Sequence, residues 1–114
     1  NVKALNQYNS FNFWGWLEDI DCAGQIEILN GDVRDPHYCR ETTKDIDIVF
    51  HLAALIAIPY SYHSPQSYID TNITGTYNIL KSSQKNNISK ITNDIIKIEG
   101  MSGTKTRHFY NNFQ

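Results

Sequence analysis

Charged side chains are nearly missing from the middle of the sequence. The stretch HLAALIAIPYSYHSPQSYIDTNITGT, residues 51–76, contains no Lys, Arg or Glu. Over the whole chain, ten basic residues stand against twelve acidic ones, for a net charge of -2. This balance offers no electrostatic footprint for nucleic acid or for anionic lipid. The sequence therefore raises the question of what lies against so neutral a segment.

Cysteine clusters and long apolar runs are also missing. Cys22 and Cys39 lie far apart and form no C-x-x-C or Cys/His cluster, so the sequence indicates neither a zinc site nor a redox motif. Two free, inert thiols are expected. No apolar run approaches the ~20 residues that cross a bilayer, and no basic-then-apolar leader opens the chain. We expect a soluble, cytoplasmic protein with no metal, nucleic-acid or membrane partner.

The element pattern alternates between strands and helices. Residues 2–5 are typical of the end of a strand, residues 25–30 alternate with period two, and residues 47–54 form a nearly continuous apolar run. Such a run predicts a strand covered on both faces, as in a buried parallel sheet. Residues 88–91 are compatible with a further strand. At 114 residues and 13.1 kDa, the chain has the length of about one domain.

Two helices are predicted between these strands. Asp35-Pro36 and Ser64-Pro65 each combine a capping side chain with a proline suited to the first helical turn. Apolar or small residues recur through positions 69–80, and Asn86-Asn87 is a plausible stop. Strands separated by helices or long loops favour right-handed crossovers, and hence a parallel α/β sheet.

Ligands of open α/β sheets bind beyond the carboxyl ends of the strands. Asp32 follows one predicted strand, and its carboxylate can accept a hydrogen bond from an exocyclic amine or a ribose hydroxyl. Val33 can lie flat against a purine, although the same residues also suit a simple turn. Ala53 and Ala54 end another strand, and their small side chains allow close approach of a ligand or merely tight helix packing.

Several motifs together resemble a known family. They are G-D-V-R-D at 31–35, V-F-H-L-A-A at 49–54, Ser61, Pro65 and D-T-N-I-T-G-T at 70–76. In order and spacing they resemble the extended short-chain dehydrogenase/reductases, within these the NAD-dependent nucleotide-sugar 4,6-dehydratases and epimerases. Residues 8–12, 14–16 and 54–62 look most like the UDP-sugar 4,6-dehydratases of legionaminic acid synthesis. The resemblance covers about residues 1–91.

The resemblance implies a cofactor site for NAD or NADP. Asp32 and Val33 would contact the adenine, and Thr71 would lie near the nicotinamide half. The neutral middle segment would then face a bound nicotinamide dinucleotide. The cofactor's ribose and phosphates would be lined by Leu52, Ala53 and Ala54.

Two further residues are assigned by the resemblance. Ser61 matches a position on the loop that faces the nucleotide-sugar substrate. Asn72 matches an asparagine that helps organise the active site, and is the one candidate catalytic residue. The alternative for Asn72 is an ordinary polar residue on a helix.

The Y-x-x-x-K pattern at Tyr77 and Lys81 is not expected to be the catalytic pair of such enzymes. It lies one turn after Asn72 on the same helix, whereas the family takes its pair from a later helix. We expect Tyr77 to be partly buried against the sheet and Lys81 to be solvated.

The sequence departs from the family at both ends. The first strand and the G-x-x-G-x-x-G loop would precede residue 1, and residues 92–114 match no family pattern. We expect residues 1–91 to form a partial Rossmann-type, doubly wound parallel sheet that lacks this strand and loop, followed by a divergent tail. Since the missing strand is central in the order 3-2-1-4-5, the chain alone should fail to fold or should join the flanking strands in a non-native pair.

The implied activity belongs to the complete enzyme. It oxidises the sugar C4 hydroxyl by hydride transfer to the cofactor, and a dehydratase then eliminates water where an epimerase does not. A homodimer is expected for the full-length enzyme. This chain is expected to be an inactive fragment; the alternative is a small, non-catalytic α/β nucleotide-binding or interaction module. Residues 5–7 contain neither an acidic residue for the ribose nor an arginine for a 2′-phosphate, so NAD and NADP stay open.

Overall fold

Four strands form two parallel pairs in the computed structural model, which describes residues 1–19, 21 and 23–92. Strand β1 (Val2–Gln7) lies beside β2 (Ile26–Gly31), with Val2 opposite Ile26 and Gln7 opposite Gly31. Strand β3 (Ile48–Phe50) lies beside β4 (Lys90–Thr92), with Ile48 opposite Lys90. The predicted α/β class with parallel strands is confirmed.

Helices connect the strands. The principal ones are α1 (Pro36–Thr42), α2 (Ile58–His63), α3 (Pro65–Tyr68) and α4 (Thr76–Lys85), and a π-helical turn, Ile69–Gly75, joins α3 to α4. Short 3₁₀ turns occupy Gly15–Glu18 and Ala23–Gln25. None of the helices in the described part of the chain is both long and apolar enough to cross a membrane.

The predicted start of α1 is confirmed in atomic detail. Asp35 Oδ1 accepts hydrogen bonds from the backbone N–H groups of His37 (2.8 Å) and Tyr38 (3.2 Å), and Pro36 occupies the first turn. The second predicted cap is wrong, because the Ser64 hydroxyl bonds to that of Ser67 at 2.6 Å and does not cap the helix backbone.

The end of α4 also follows the prediction. The helix ends at Lys85, Asn86 is its C-cap, and Asn87 has a positive φ of 55°, a left-handed conformation that asparagine tolerates better than most residues. The asparagine pair therefore terminates the helix as expected.

Strand β3 differs from its prediction in length and in burial. It spans three residues where residues 47–54 were expected, and Phe50 is 65% exposed. The physical reason is that only one face is covered in the described structure: Val49 packs against the core, whereas Ile48 and Phe50 share the opposite face and are 47% and 65% exposed. The expectation of a strand buried on both faces is wrong for this chain.

The two strand pairs remain separate sheets. No ladder joins β1 to β3 in the described residues, so the expected alternative of a non-native pair between them is not what forms. Helix α1 packs on α4, and the buried apolar core of the described residues is Val33, Cys39 and Ile79, with Val49 and Ala53 packed against it. So small a core makes marginal stability the expectation.

Candidate functional site

The carboxyl end of β2 presents a paired carboxylate. Asp32 follows the last residue of the strand, and its Oδ1 accepts hydrogen bonds from the backbone N–H of Arg34 (2.9 Å) and from Arg34 Nε (3.0 Å). The Arg34 side chain also donates to Asp32 Oδ2, and this hydrogen bonding lowers the pKa of the Asp32 carboxyl. Asp32 is thus a charged acceptor at neutral pH, with lone pairs left for a ligand.

Buried polar groups hold the turn that carries Asp32 through hydrogen bonds to its backbone carbonyls. The carbonyl of Val33 accepts hydrogen bonds from Asn78 Nδ2 (3.0 Å) and from Cys39 Sγ (3.2 Å), and the carbonyl of Arg34 accepts from the same Asn78 amide at 3.1 Å. Val33 itself is 6% exposed. Its side chain is therefore largely a core element, and Asp32 is the accessible member of the pair.

The segment after β3 begins with a buried imidazole. His51 Nε2 lies 2.9 Å from Thr76 Oγ1, and the His51 backbone N–H donates to the carbonyl of Thr92 at 2.9 Å. Burial lowers the pKa of His51, so the ring is neutral at pH 7. Beyond it, Leu52 is 62% exposed and Ala53 is half-buried.

Asn72 fixes the end of this segment. Its Oδ1 accepts from the backbone N–H of Leu55 at 2.8 Å, and its Nδ2 donates to the carbonyl of Leu55 at 2.9 Å. The side-chain amide thus pairs with the backbone of Leu55 in the way that a neighbouring strand would. Because both of its polar atoms are engaged, Asn72 is a positioning residue in this geometry, and it links Leu55 to the π-helical turn.

Comparison with known proteins decides the family. A sequence profile described as GDP-mannose 4,6 dehydratase matches residues 1–98, which is most of the chain. The chain belongs to this family. The resemblance to nucleotide-sugar dehydratases and epimerases is thereby confirmed at the family level.

The relatives of this chain include both epimerases and dehydratases. It is 37% identical over 67 residues to the UDP-glucose 4-epimerase of Rickettsia bellii (strain OSU 85-389), covering 59% of this chain and 20% of that protein. It is 35% identical over 60 residues to the UDP-N-acetylglucosamine 4,6-dehydratase (inverting) of Campylobacter jejuni, covering 53% of this chain and 18% of that protein. The chain thus spans about a fifth of the length of these curated relatives.

The chain is also similar to a solved structure of a UDP-glucose 4-epimerase. The UDP-glucose 4-epimerase of Bifidobacterium longum, in complex with NAD+ and UDP, is 35% identical and superposes with a TM-score of 0.52. The match covers 58% of this chain and 20% of that one.

Two residues assigned by the resemblance lie on helical segments of this family member. Ser61, expected on a loop, lies in α2, and its hydroxyl donates to the carbonyl of Ile58 at 2.6 Å within that helix. Thr71 is half-buried in the π-helical turn, one residue before Asn72. In the described residues, no hydrogen bond links Ser61 to Asp32, Thr71 or the segment 52–54.

An asparagine network at the ends of β1 and β2 was not anticipated from the sequence. Asn6 Nδ2 donates to Asn30 Oδ1 (2.9 Å) and to the carbonyl of Phe13 (3.2 Å), while Asn30 Nδ2 donates to Asn12 Oδ1 (3.1 Å). The three asparagines themselves, at positions 6, 12 and 30, were its only sequence signal. The network places amides, and no carboxylate, at the carboxyl end of β1.

The Tyr77 and Lys81 pair lies away from these groups. Tyr77 is 60% exposed, so the expectation that it packs against the sheet is wrong, and Lys81 Nζ donates to Gln84 Oε1 at 3.3 Å. Cys39 is a free, buried thiol, and burial raises its pKa to about 11, which makes it inert as predicted. Cys22 lies outside the described residues, as does the tail apart from Thr92. Within residues 1–19, 21 and 23–92, His, Cys, Asp and Glu form no cluster suited to a metal ion.

Proposed function

We propose that the chain supplies the adenosine-side part of an NAD-dependent nucleotide-sugar 4,6-dehydratase or 4-epimerase, and that it is inactive by itself. The observation that carries the proposal is the double hydrogen bond between the Asn72 amide and the Leu55 backbone. It holds the segment after β3 in place, within a chain whose family match runs through residues 1–98.

The proposed cofactor contacts lie at the carboxyl ends of β2 and β3. Asp32 accepts a hydrogen bond from the adenine amine or from a ribose hydroxyl, using lone pairs that Arg34 leaves free. Val33 contributes an apolar contact to the adenine through the small part of its side chain that is exposed. The exposed Leu52 and the small Ala53 and Ala54 allow the ribose and phosphates to approach the backbone.

The rest of the proposed site orients the reacting groups. Thr71 lies near the nicotinamide half of the cofactor, and Ser61 faces the nucleotide-sugar substrate. Asn72 holds the segment after β3 in place through its two hydrogen bonds to Leu55. In the complete enzyme, a bound nicotinamide dinucleotide would supply the hydride exchange at the sugar C4 carbon, and these residues would help to orient it. NAD is favoured because a 35% identical epimerase is described in complex with NAD+, although the neutral network around Asn6 does not oppose NADP.

The substrate proposed is a UDP sugar. Two curated relatives at 37% and 35% identity carry UDP-sugar names, one an epimerase and one a dehydratase. Dehydratase chemistry is favoured by the family description and by the resemblance of residues 8–16 and 54–62 to UDP-sugar dehydratases of legionaminic acid synthesis. An epimerase would use the same contacts and omit the elimination.

Calorimetric titration of the 114-residue chain with NAD+ and with UDP tests the proposal. We expect no saturable heat from either ligand and no turnover of UDP-N-acetylglucosamine, because the contacts of this part alone leave most of a dinucleotide exposed. The matched variant is Asp32→Asn, which should behave identically. Micromolar binding of NAD+ that Asp32→Asn weakens would instead establish the alternative, a self-contained nucleotide-binding module without catalysis.

A further inference from the structure

A small pocket lies between α1 and α4, on the helical layer. Its volume is about 100 Å³. It contains no residue of the proposed cofactor or substrate site. The residues that line it are Pro36 and Arg40 from α1, and Tyr77, Asn78, Lys81, Ser82 and Lys85 from α4.

The pocket is strongly basic. Three of its lining residues are cations, and none is a carboxylate. Lys81 and Lys85 stand four positions apart on one helix, where like charges repel each other. The nearby carboxylate of Glu41 is engaged with Lys44 at 2.6 Å. Since the whole chain carries a net charge of -2, this concentration of positive charge is a local feature.

The pocket also contains hydroxyl groups that can donate to a ligand. Ser82 lines the pocket and is 4% exposed as a residue. A serine hydroxyl is an O–H donor, so it can donate to a ligand oxygen in the pocket. Tyr77, which also lines the pocket and is 60% exposed, offers a second hydroxyl donor.

We propose that this pocket binds a phosphate-sized oxyanion. The cations from two helices supply charge-assisted hydrogen bonds, and the hydroxyl of the lining residue Ser82 donates a further one. A volume of about 100 Å³ suits one phosphoryl group and is too small for a dinucleotide. The ligand is either inorganic phosphate or the terminal phosphate of a larger ester, and both would present the same oxygens.

Titration of the 114-residue chain with inorganic phosphate, at constant ionic strength in sodium chloride, tests this assignment. Chemical shifts of the backbone amides are followed by NMR. We expect one saturable site, with shifts centred on α1 and α4. Lys85→Gln and Ser82→Ala should each weaken binding roughly five- to tenfold. Lys90→Gln, an exposed charge-matched control on β4, should leave the affinity unchanged.

The outcomes distinguish a phosphate ester from inorganic phosphate as the ligand. They also distinguish this pocket from the proposed cofactor site. Tighter saturation by a sugar 1-phosphate than by inorganic phosphate would identify an ester as the ligand, and equal affinity would identify the free ion. Asp32→Asn should not alter phosphate binding, so this assignment can stand if the proposed cofactor site fails. Linear, unsaturable shifts, equal affinity in Lys85→Gln and Lys90→Gln, or a spectrum without the dispersion of a folded chain would overturn it.

Discussion

Replacing Asn78 with Ala is expected to lower the free energy of unfolding by about 2–3 kcal/mol. The Asn78 amide donates to the carbonyls of both Val33 and Arg34, and the residue is 6% exposed. In the variant, the Val33 carbonyl keeps only the weak Cys39 thiol donor at 3.2 Å, and the Arg34 carbonyl loses its partner. Because the core is so small, a loss of this size should leave most molecules unfolded.

Urea titration followed by far-ultraviolet circular dichroism measures this effect. Gln84→Ala is the matched control, because Gln84 lies on the same helix and is exposed. Its stability should change by no more than about 0.5 kcal/mol. If Asn78→Ala were as mild as the control, Asn78 would not be what fixes the turn that carries Asp32.

Replacing Gly75 with Ala is expected to destabilise the chain by about 1–2 kcal/mol. A Cβ at Gly75 would lie 2.7 Å from Cγ2 and 3.3 Å from Cβ of Val33, a side chain that is itself 6% exposed. Overpacking of this kind costs about 1–3 kcal/mol, which exceeds the gain of up to about 1 kcal/mol from the better helix propensity of Ala. The missing side chain is therefore required for close packing of the helix on the β2 turn.

Two comparisons isolate that contact by urea titration. At Gly24 an added Cβ would meet nothing within 4 Å, so Gly24→Ala should be neutral to within about 0.5 kcal/mol. The loss caused by Gly75→Ala should shrink in a chain that already carries Val33→Ala, because the smaller side chain removes the clash. Equal losses in the two backgrounds would mean that Gly75 and Val33 do not contact each other.

Local signals explain the parts of the fold that the sequence predicts well. The Asp35 cap, the Asn86 stop and the strand β2 each depend on neighbours within a few residues, and all three are observed, although burial does not alternate along β2. Helix α2 was missed even though Pro59 stands in its first turn, because the apolar residues before it suggested an extended segment.

Long-range contacts explain what was missed. The hydrogen bond from Asn78 to Val33 joins residues 45 positions apart, and nothing in the helical period of α4 distinguishes Asn78 from a solvated amide. The pairing of Asn72 with Leu55 was anticipated only as a general organising role. The exposure of Phe50 and Tyr77 was mispredicted because apolar patterning indicates which face is suited to burial, and not whether a neighbouring element covers it.

The central claim is that the chain forms two parallel strand pairs that do not join each other. Nuclear Overhauser effects between backbone protons of the 114-residue chain test it most directly. We predict effects linking Val2–Gln7 to Ile26–Gly31 and Ile48–Phe50 to Lys90–Thr92, with none linking Val2–Gln7 to Ile48–Phe50. Effects that join these last two strands directly, or the absence of any interstrand effects, would contradict the account.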